Sequence, residues 1–148
     1  MKSGIIALDM LNIVWCKIYN MADKLIFFVD DEPMFINLME YTFKCRSGYT
    51  VQAFNSGEDC IKHLYMNPDL VVVDFFLNGD DSQMTGMDLV KKIKEINPET
   101  LLVFLSGNDD DAVINEAKAI GVEKYILKNG YFIDNLIECV SNILPPSS

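Results

Sequence analysis

The chain has 148 residues, half of them hydrophobic, which suits one domain with a sizeable core and not a disordered polymer. Its formal net charge of −10 argues against a nucleic-acid-binding surface and against docking on anionic membranes. Cys16, Cys45, Cys60 and Cys139 are scattered, with no CxxC pair and no histidine at zinc spacing, so reduced thiols in a cytoplasmic protein are expected.

The first element is an apolar stretch from Gly4 to Val14, preceded by Lys2 and interrupted by Asp9. No small-residue cleavage pattern follows it, so it does not read as a secretory signal. No run in the chain is long and apolar enough to cross a membrane. The reading therefore takes 1–21 as an N-terminal extension and places one main domain over 22–148, with no second domain.

From there the chain alternates. Short apolar runs at Leu25–Val29, Leu70–Val73 and Leu101–Leu105 read as parallel strands covered on both faces, because they are continuous and do not alternate. Weaker strands are expected at Thr50–Phe54 and Tyr125–Leu127. The intervening segments have helical period: Leu89, Val90, Ile93 and Ile96 form one stripe, and Ile133, Leu136, Ile137, Val140 and Leu144 form another. Pro33 suits a first helical turn, Ser56 suits an N-cap, Gly121 suits a helix end, and Pro145-Pro146 stop the last helix. Met34, Phe35, Met39, Tyr41 and Phe43 read as core and helix-face residues, and His63 as an inert helix-surface residue.

Five β-α units in succession predict an α/β, doubly wound parallel sheet. Functional groups of such sheets gather at the carboxyl ends of the strands. At those ends stand Asp30-Asp31 with Glu32, then Asp74, Ser106 and Lys128. In the flavodoxin-like order 2-1-3-4-5, strands one and three are neighbours, so the three aspartates converge. Two carboxylates about 4 Å apart repel by roughly 4 kcal/mol at an effective dielectric near 20. Lys128 and a divalent cation would offset this, and an oxygen-only donor set favours Mg2+ over zinc. A carboxylate can attack phosphorus and form an acyl phosphate. Asp74, alone at the end of a central strand, is the expected nucleophile; Lys128 would neutralise the phosphoryl oxygens and Ser106 would hydrogen-bond one of them.

The runs Val29-Asp30-Asp31-Glu32-Pro33, Val72-Val73-Asp74, Leu105-Ser106-Gly107 and Tyr125-Ile126-Leu127-Lys128, in that order, resemble the receiver domains of two-component response regulators. The resemblance spans about Lys24 to Leu144 and is similar to single-domain chemotaxis regulators. It implies a receiver domain over 22–148 whose Asp74 takes a phosphoryl group from a phosphohistidine on a sensor histidine kinase or a histidine phosphotransfer protein. It implies that Asp31, Asp74 and the backbone carbonyl of Phe76 bind Mg2+ directly, with Asp30 acting through water. It also implies that Ser106 and Tyr125 form a switch pair. They would alter the face of the fourth helix, fifth strand and fifth helix toward a downstream protein target. Such a module assists its own phosphorylation and dephosphorylation without being an enzyme. A bulky Phe76 is expected to slow hydrolysis of the acyl phosphate, with Asn108 as a second modulator.

The chain departs from the family pattern at two places. Asn129 stands where proline usually follows the lysine. In the loop after Asp74, Asn78 replaces the usual proline; Gly86 falls twelve residues on and not eight, and Asp80 and Asp81 lie between. Competing readings are a degenerate receiver that binds partners without phosphorylation, an aspartate-nucleophile phosphatase and an FMN carrier. The phosphatase motif needs two aspartates one residue apart, whereas Asp30 and Asp31 are adjacent and residue 32 is Glu. The FMN reading lacks a phosphate-cradling loop after strand one.

Overall fold

The structure, a computed structural model, describes residues 23–77 and 84–146. Expectations resting on residues 1–21, Cys16, Asn78, Asp80 and Asp81 lie outside the described residues.

Five parallel strands form one sheet: β1 (Lys24–Val29), β2 (Tyr49–Phe54), β3 (Leu70–Asp74), β4 (Leu101–Ser106) and β5 (Lys124–Leu127). The order is β2-β1-β3-β4-β5, as expected, and it reverses between β1 and β3. The helices are α1 (Pro33–Lys44), α2 (Gly57–Lys62), α3 (Gly86–Ile96), α4 (Asp111–Ala119) and α5 (Phe132–Ile143).

Strand alternation divides the core in two. Ile26, Phe28, Leu70, Val72, Val103 and Leu105 meet Met39 and Phe43 of α1 and Leu136 and Val140 of α5. The residues between them, Phe27, Val29, Val71, Val73, Leu102 and Phe104, meet Cys60 of α2, Leu89, Val90 and Ile93 of α3 and Ala117 of α4. A strand apolar at every position is therefore required at the centre of the sheet, and β3 is buried along its whole length.

Local signals place the helix starts. Pro33 opens α1, and Ser56 accepts a hydrogen bond from the Asp59 N–H at 3.2 Å. Thr85 and Asp88 form a reciprocal capping box on α3, with bonds of 3.1 and 3.2 Å. Gly121 takes φ +96° just after α4, a conformation that side chains resist.

Four side chains depart from expectation. Ile96 is the last residue of α3 and stands clear of the core, 51% exposed. Met34 and Tyr41 lie on the outer face of α1 while Met39 and Phe43 face inward, so the first two are not core. His63 is half-buried, its ring against Phe54 at 4.9 Å and its Nδ1 2.8 Å from the Asp59 carbonyl oxygen, so it is a packed helix-end residue. Cys45, Cys60 and Cys139 are free thiols, the last two buried.

Candidate functional site

The carboxyl edge of the sheet carries the chemistry. Asp30 directly follows β1, and its N–H donates to the Phe54 carbonyl at 3.1 Å, which prolongs the pairing with β2. Its Oδ1 accepts from the Glu32 N–H at 2.9 Å, a tight turn that launches α1. Asp74 is the last residue of β3 and repeats the device: its Oδ1 accepts from the Phe76 N–H at 3.2 Å. In each aspartate the local backbone engages one oxygen and leaves Oδ2 for the pocket.

Lys128 fills that pocket. Its N–H donates to the Ser106 carbonyl at 2.7 Å, which ties the end of β5 to the end of β4. Its Nζ lies 2.7 Å from Asp30 Oδ2, 3.4 Å from Asp74 Oδ2 and 3.6 Å from Glu32 Oε1. Asn129 does not disturb this reach. Its side chain accepts from the Tyr131 N–H at 2.9 Å, and its carbonyl accepts from the Phe132 N–H at 3.1 Å, so it builds the turn into α5 by hydrogen bonding.

Burial sets the electrostatics. Asp30 is fully buried and Asp74 is 3% exposed. Burial pushes the Asp74 carboxyl up to about 6, with the Asp30 charge adding to the rise and Lys128 and the Phe76 N–H opposing it. Asp30 is also raised, chiefly by burial, against the pull of Lys128. Burial works against the Lys128 charge, but Asp30, Asp74 and Glu32 together outweigh it and hold the ammonium above its usual range.

The donor set fits a hard divalent cation. Asp30, Asp31, Glu32 and Asp74 each offer a carboxylate oxygen within 4.8 Å of the others, and Lys128 alone neutralises part of that charge among the described residues. Asp30 Oδ2 is sealed from solvent, and the Lys128 ammonium 2.7 Å away is its partner among the described residues. Four carboxylates gathered around a single buried ammonium make an environment that a divalent cation would relieve.

Ser106 is fully buried at the end of β4, one residue past Leu105, the register partner of Asp74. Its Oγ accepts from the Asn108 N–H at 3.1 Å. Tyr125 packs against Phe104 and Phe75, with ring centroids 6.4 and 6.5 Å away, and its hydroxyl donates to the Asn108 carbonyl at 2.7 Å. That hydroxyl also neighbours Ser106, and burial raises its pKa while the Ser106 contact lowers it. Phe76 is 53% exposed, and its N–H anchors Asp74 in the acidic pocket.

Asp30, Asp31, Asp74, Phe76, Ser106 and Lys128 therefore lie at or just past the carboxyl ends of their strands, and Tyr125, the second residue of β5, reaches that edge through its hydroxyl bond to Asn108. Two contributors went unassigned. Glu32 is a third carboxylate on Lys128, which its place beside Asp31 could have signalled. Phe35, read as core, has its ring centre 4.0 Å from Lys128 Nζ, and no sequence motif marks that contact.

The chain is a doubly wound α/β domain whose carboxyl edge carries an acidic, lysine-bearing pocket that could hold a metal ion. Residues 26–140 match the family model of the response regulator receiver domain. The chemotaxis protein CheY of Thermotoga maritima is 29% identical over 66% of this chain and 80% of its own length. The regulator of RpoS of Escherichia coli K12 is 30% identical over 86% of this chain but 36% of its own length, and the chain likewise spans 44% of the Bacillus subtilis transcriptional regulatory protein CssR. Among solved structures, the Vibrio cholerae chemotaxis protein CheY4 superposes with a TM-score of 0.73 at 21% identity, covering 83% of this chain and all of that one. The NtrX receiver domain of Brucella abortus gives 0.71 at 25% identity, over 79% of this chain and 95% of that one. The chain belongs to the response regulator receiver domain family of two-component systems.

Proposed function

We propose that Asp74 is the phosphoacceptor of a Mg2+-dependent switch, loaded from a phosphohistidine on a sensor histidine kinase or a histidine phosphotransfer protein. The observation that carries this reading is the convergence of Asp30 and Asp74 on one buried ammonium, with Asp31 and Glu32 alongside. Asp31, Asp74 and the Phe76 carbonyl would hold the ion, with Asp30 acting through water. The ion supplies charge neutralisation for the carboxylates and the phosphoryl oxygens.

In the transfer, Asp74 Oδ2 attacks phosphorus. The P–N bond to the donor imidazole breaks, and that nitrogen leaves with the bonding pair and takes a proton. Lys128 is already within ion-pair distance of Asp74 and turns to a phosphoryl oxygen. Ser106 is the hydroxyl that would donate to a second oxygen, while its Oγ accepts from the Asn108 N–H. Tyr125 is bonded to the same residue, Asn108, so movement of Ser106 is transmitted to β5. The face of α4, β5 and α5 then carries the signal to a downstream protein, a two-state element biased by a charge event. Met34, Phe76 and Tyr131, exposed apolar residues within three positions of Asp31, Asp74 and Lys128, would meet the donor protein.

Beryllofluoride, a phosphoryl mimic, tests the reading. In the presence of Mg2+ it should bind one equivalent and shift the amide resonances of Ser106, Asn108 and Tyr125, while Thr100 and Asp69 at the opposite edge stay in place. Asp74→Asn should show none of these changes. Wild-type spectra that do not respond would favour a degenerate receiver that works without phosphorylation.

A further inference from the structure

The Lys128 ammonium has a neighbour besides its three carboxylates. The centre of the Phe35 ring lies 4.0 Å from Nζ, within cation–π range. The ring is held from behind by Phe132, edge-on at 5.2 Å, and Phe132 is 7% exposed in the core. Phe35 sits in the first turn of α1 and Phe132 is the first residue of α5, so two helices starting on either side of the pocket fix the ring.

We infer that Phe35 is a positioning residue for Lys128, its ring face cradling the ammonium while the ammonium changes partners. Two features favour this over plain packing. The Lys128 side chain is 7% exposed, and a cation–π contact is strongest where water is excluded. The attraction also ties no single N–H to a fixed acceptor, so the ammonium can rotate above the ring face without losing it. A hydrogen-bonding support would have to break as the ammonium turned from Asp30, its nearest partner, toward a phosphoryl oxygen on Asp74; an aromatic face keeps its hold through that turn. The kinetic consequence rests on the phosphoacceptor reading, whereas the contact itself does not.

The test replaces Phe35 with phenylalanines carrying one, two and three ring fluorines, which nearly preserve shape but weaken the negative ring face. Phe35→Leu and Phe35→Tyr complete the series. In the wild type, the Lys128 ε-methylene and ammonium protons should be shielded by the ring, and Phe35→Leu should remove that shielding. The rate of Mg2+-dependent phosphorylation by acetyl phosphate should fall stepwise with fluorination, by about tenfold in all, at unchanged thermal midpoint. Phe35→Tyr should keep the wild-type rate. A rate that stays flat across the fluorinated series would reduce Phe35 to a packing residue. Should the wild type accept no phosphoryl group, the phosphoacceptor reading fails separately, and the shielding then decides: an unshielded Lys128 overturns the cradle.

Discussion

At the scale of single residues, the pocket is a set of opposed charges that a cation would rebalance. Without metal, Asp74 titrates at about 6 in the folded protein against 3.8 for an ordinary aspartate. Between those values the fold holds a proton that the unfolded chain has lost, so stability from this group is full below the lower value and drains away as pH rises through the upper one. The span corresponds to about 2–3 kcal/mol. Denaturant titrations of the metal-free protein should accordingly show Asp74→Asn more stable than wild type at pH 7.5, by up to that amount. The two should converge near pH 4, and saturating Mg2+ should close most of the gap at high pH. A gap that ignores pH would show that ionisation of Asp74 is not its origin. Phe76 carries a different expectation. Its ring is exposed beside the phosphoacceptor while its N–H holds Asp74, so substitution leaves the carboxylate anchored and opens the approach of water. Phe76→Asn should shorten the acyl phosphate lifetime about threefold or more, an order-of-magnitude expectation for easier access of water. An unchanged lifetime in a decay assay would remove the ring from that role.

Elements position these residues through main-chain contacts, and Gly86 shows how tightly. A Cβ at this position would overlap the Asp74 carbonyl oxygen and stand 2.8 Å from that of Phe75. Both are main-chain oxygens, one on the last residue of β3 and one on the residue after it, so neither can swing aside as a side chain would. Gly86→Ala should therefore cost about 1–3 kcal/mol even though alanine is the better helix former. Gly130→Ala meets nothing within 4 Å and should stay within about 0.5 kcal/mol. Equilibrium unfolding of the two variants measures the contrast. The elements themselves were largely legible in the sequence. A parallel strand buried on both faces has to be apolar throughout, which is why Leu70–Val73 and Leu101–Leu105 stood out, and Ser56 and Gly121 carried their cap chemistry openly. What periodicity does not record is where a helix outruns the sheet that covers it. Ile96 continued the α3 stripe but had no core left to face, and Met34 and Tyr41 had the composition of a core without its orientation.

For the whole molecule, the topology does what no single motif can. Crossing from β1 to β3 at the point where the strand order reverses brings Asp30 and Asp74 to one lysine, although 44 residues separate them in the chain. The convergence of Asp30, Asp74 and Lys128 was legible because each stands at or just past a strand end, and the strand order then dictates that the ends meet. Distances and the contact between the Phe35 ring and Lys128 were not legible, because they depend on how α1 is set against β5 and α5. The same topology leaves Ser106 and Tyr125 joined through Asn108 and so links the pocket to an outer face. The proposed switch turns on Asp74. Intact mass after incubation with acetyl phosphate should show a gain of one phosphoryl group that requires Mg2+ and is absent from Asp74→Asn. A wild-type protein that binds Mg2+ but gains no mass from acetyl phosphate or a phosphohistidine donor, or an Asp74→Asn variant modified as readily as wild type, would contradict it.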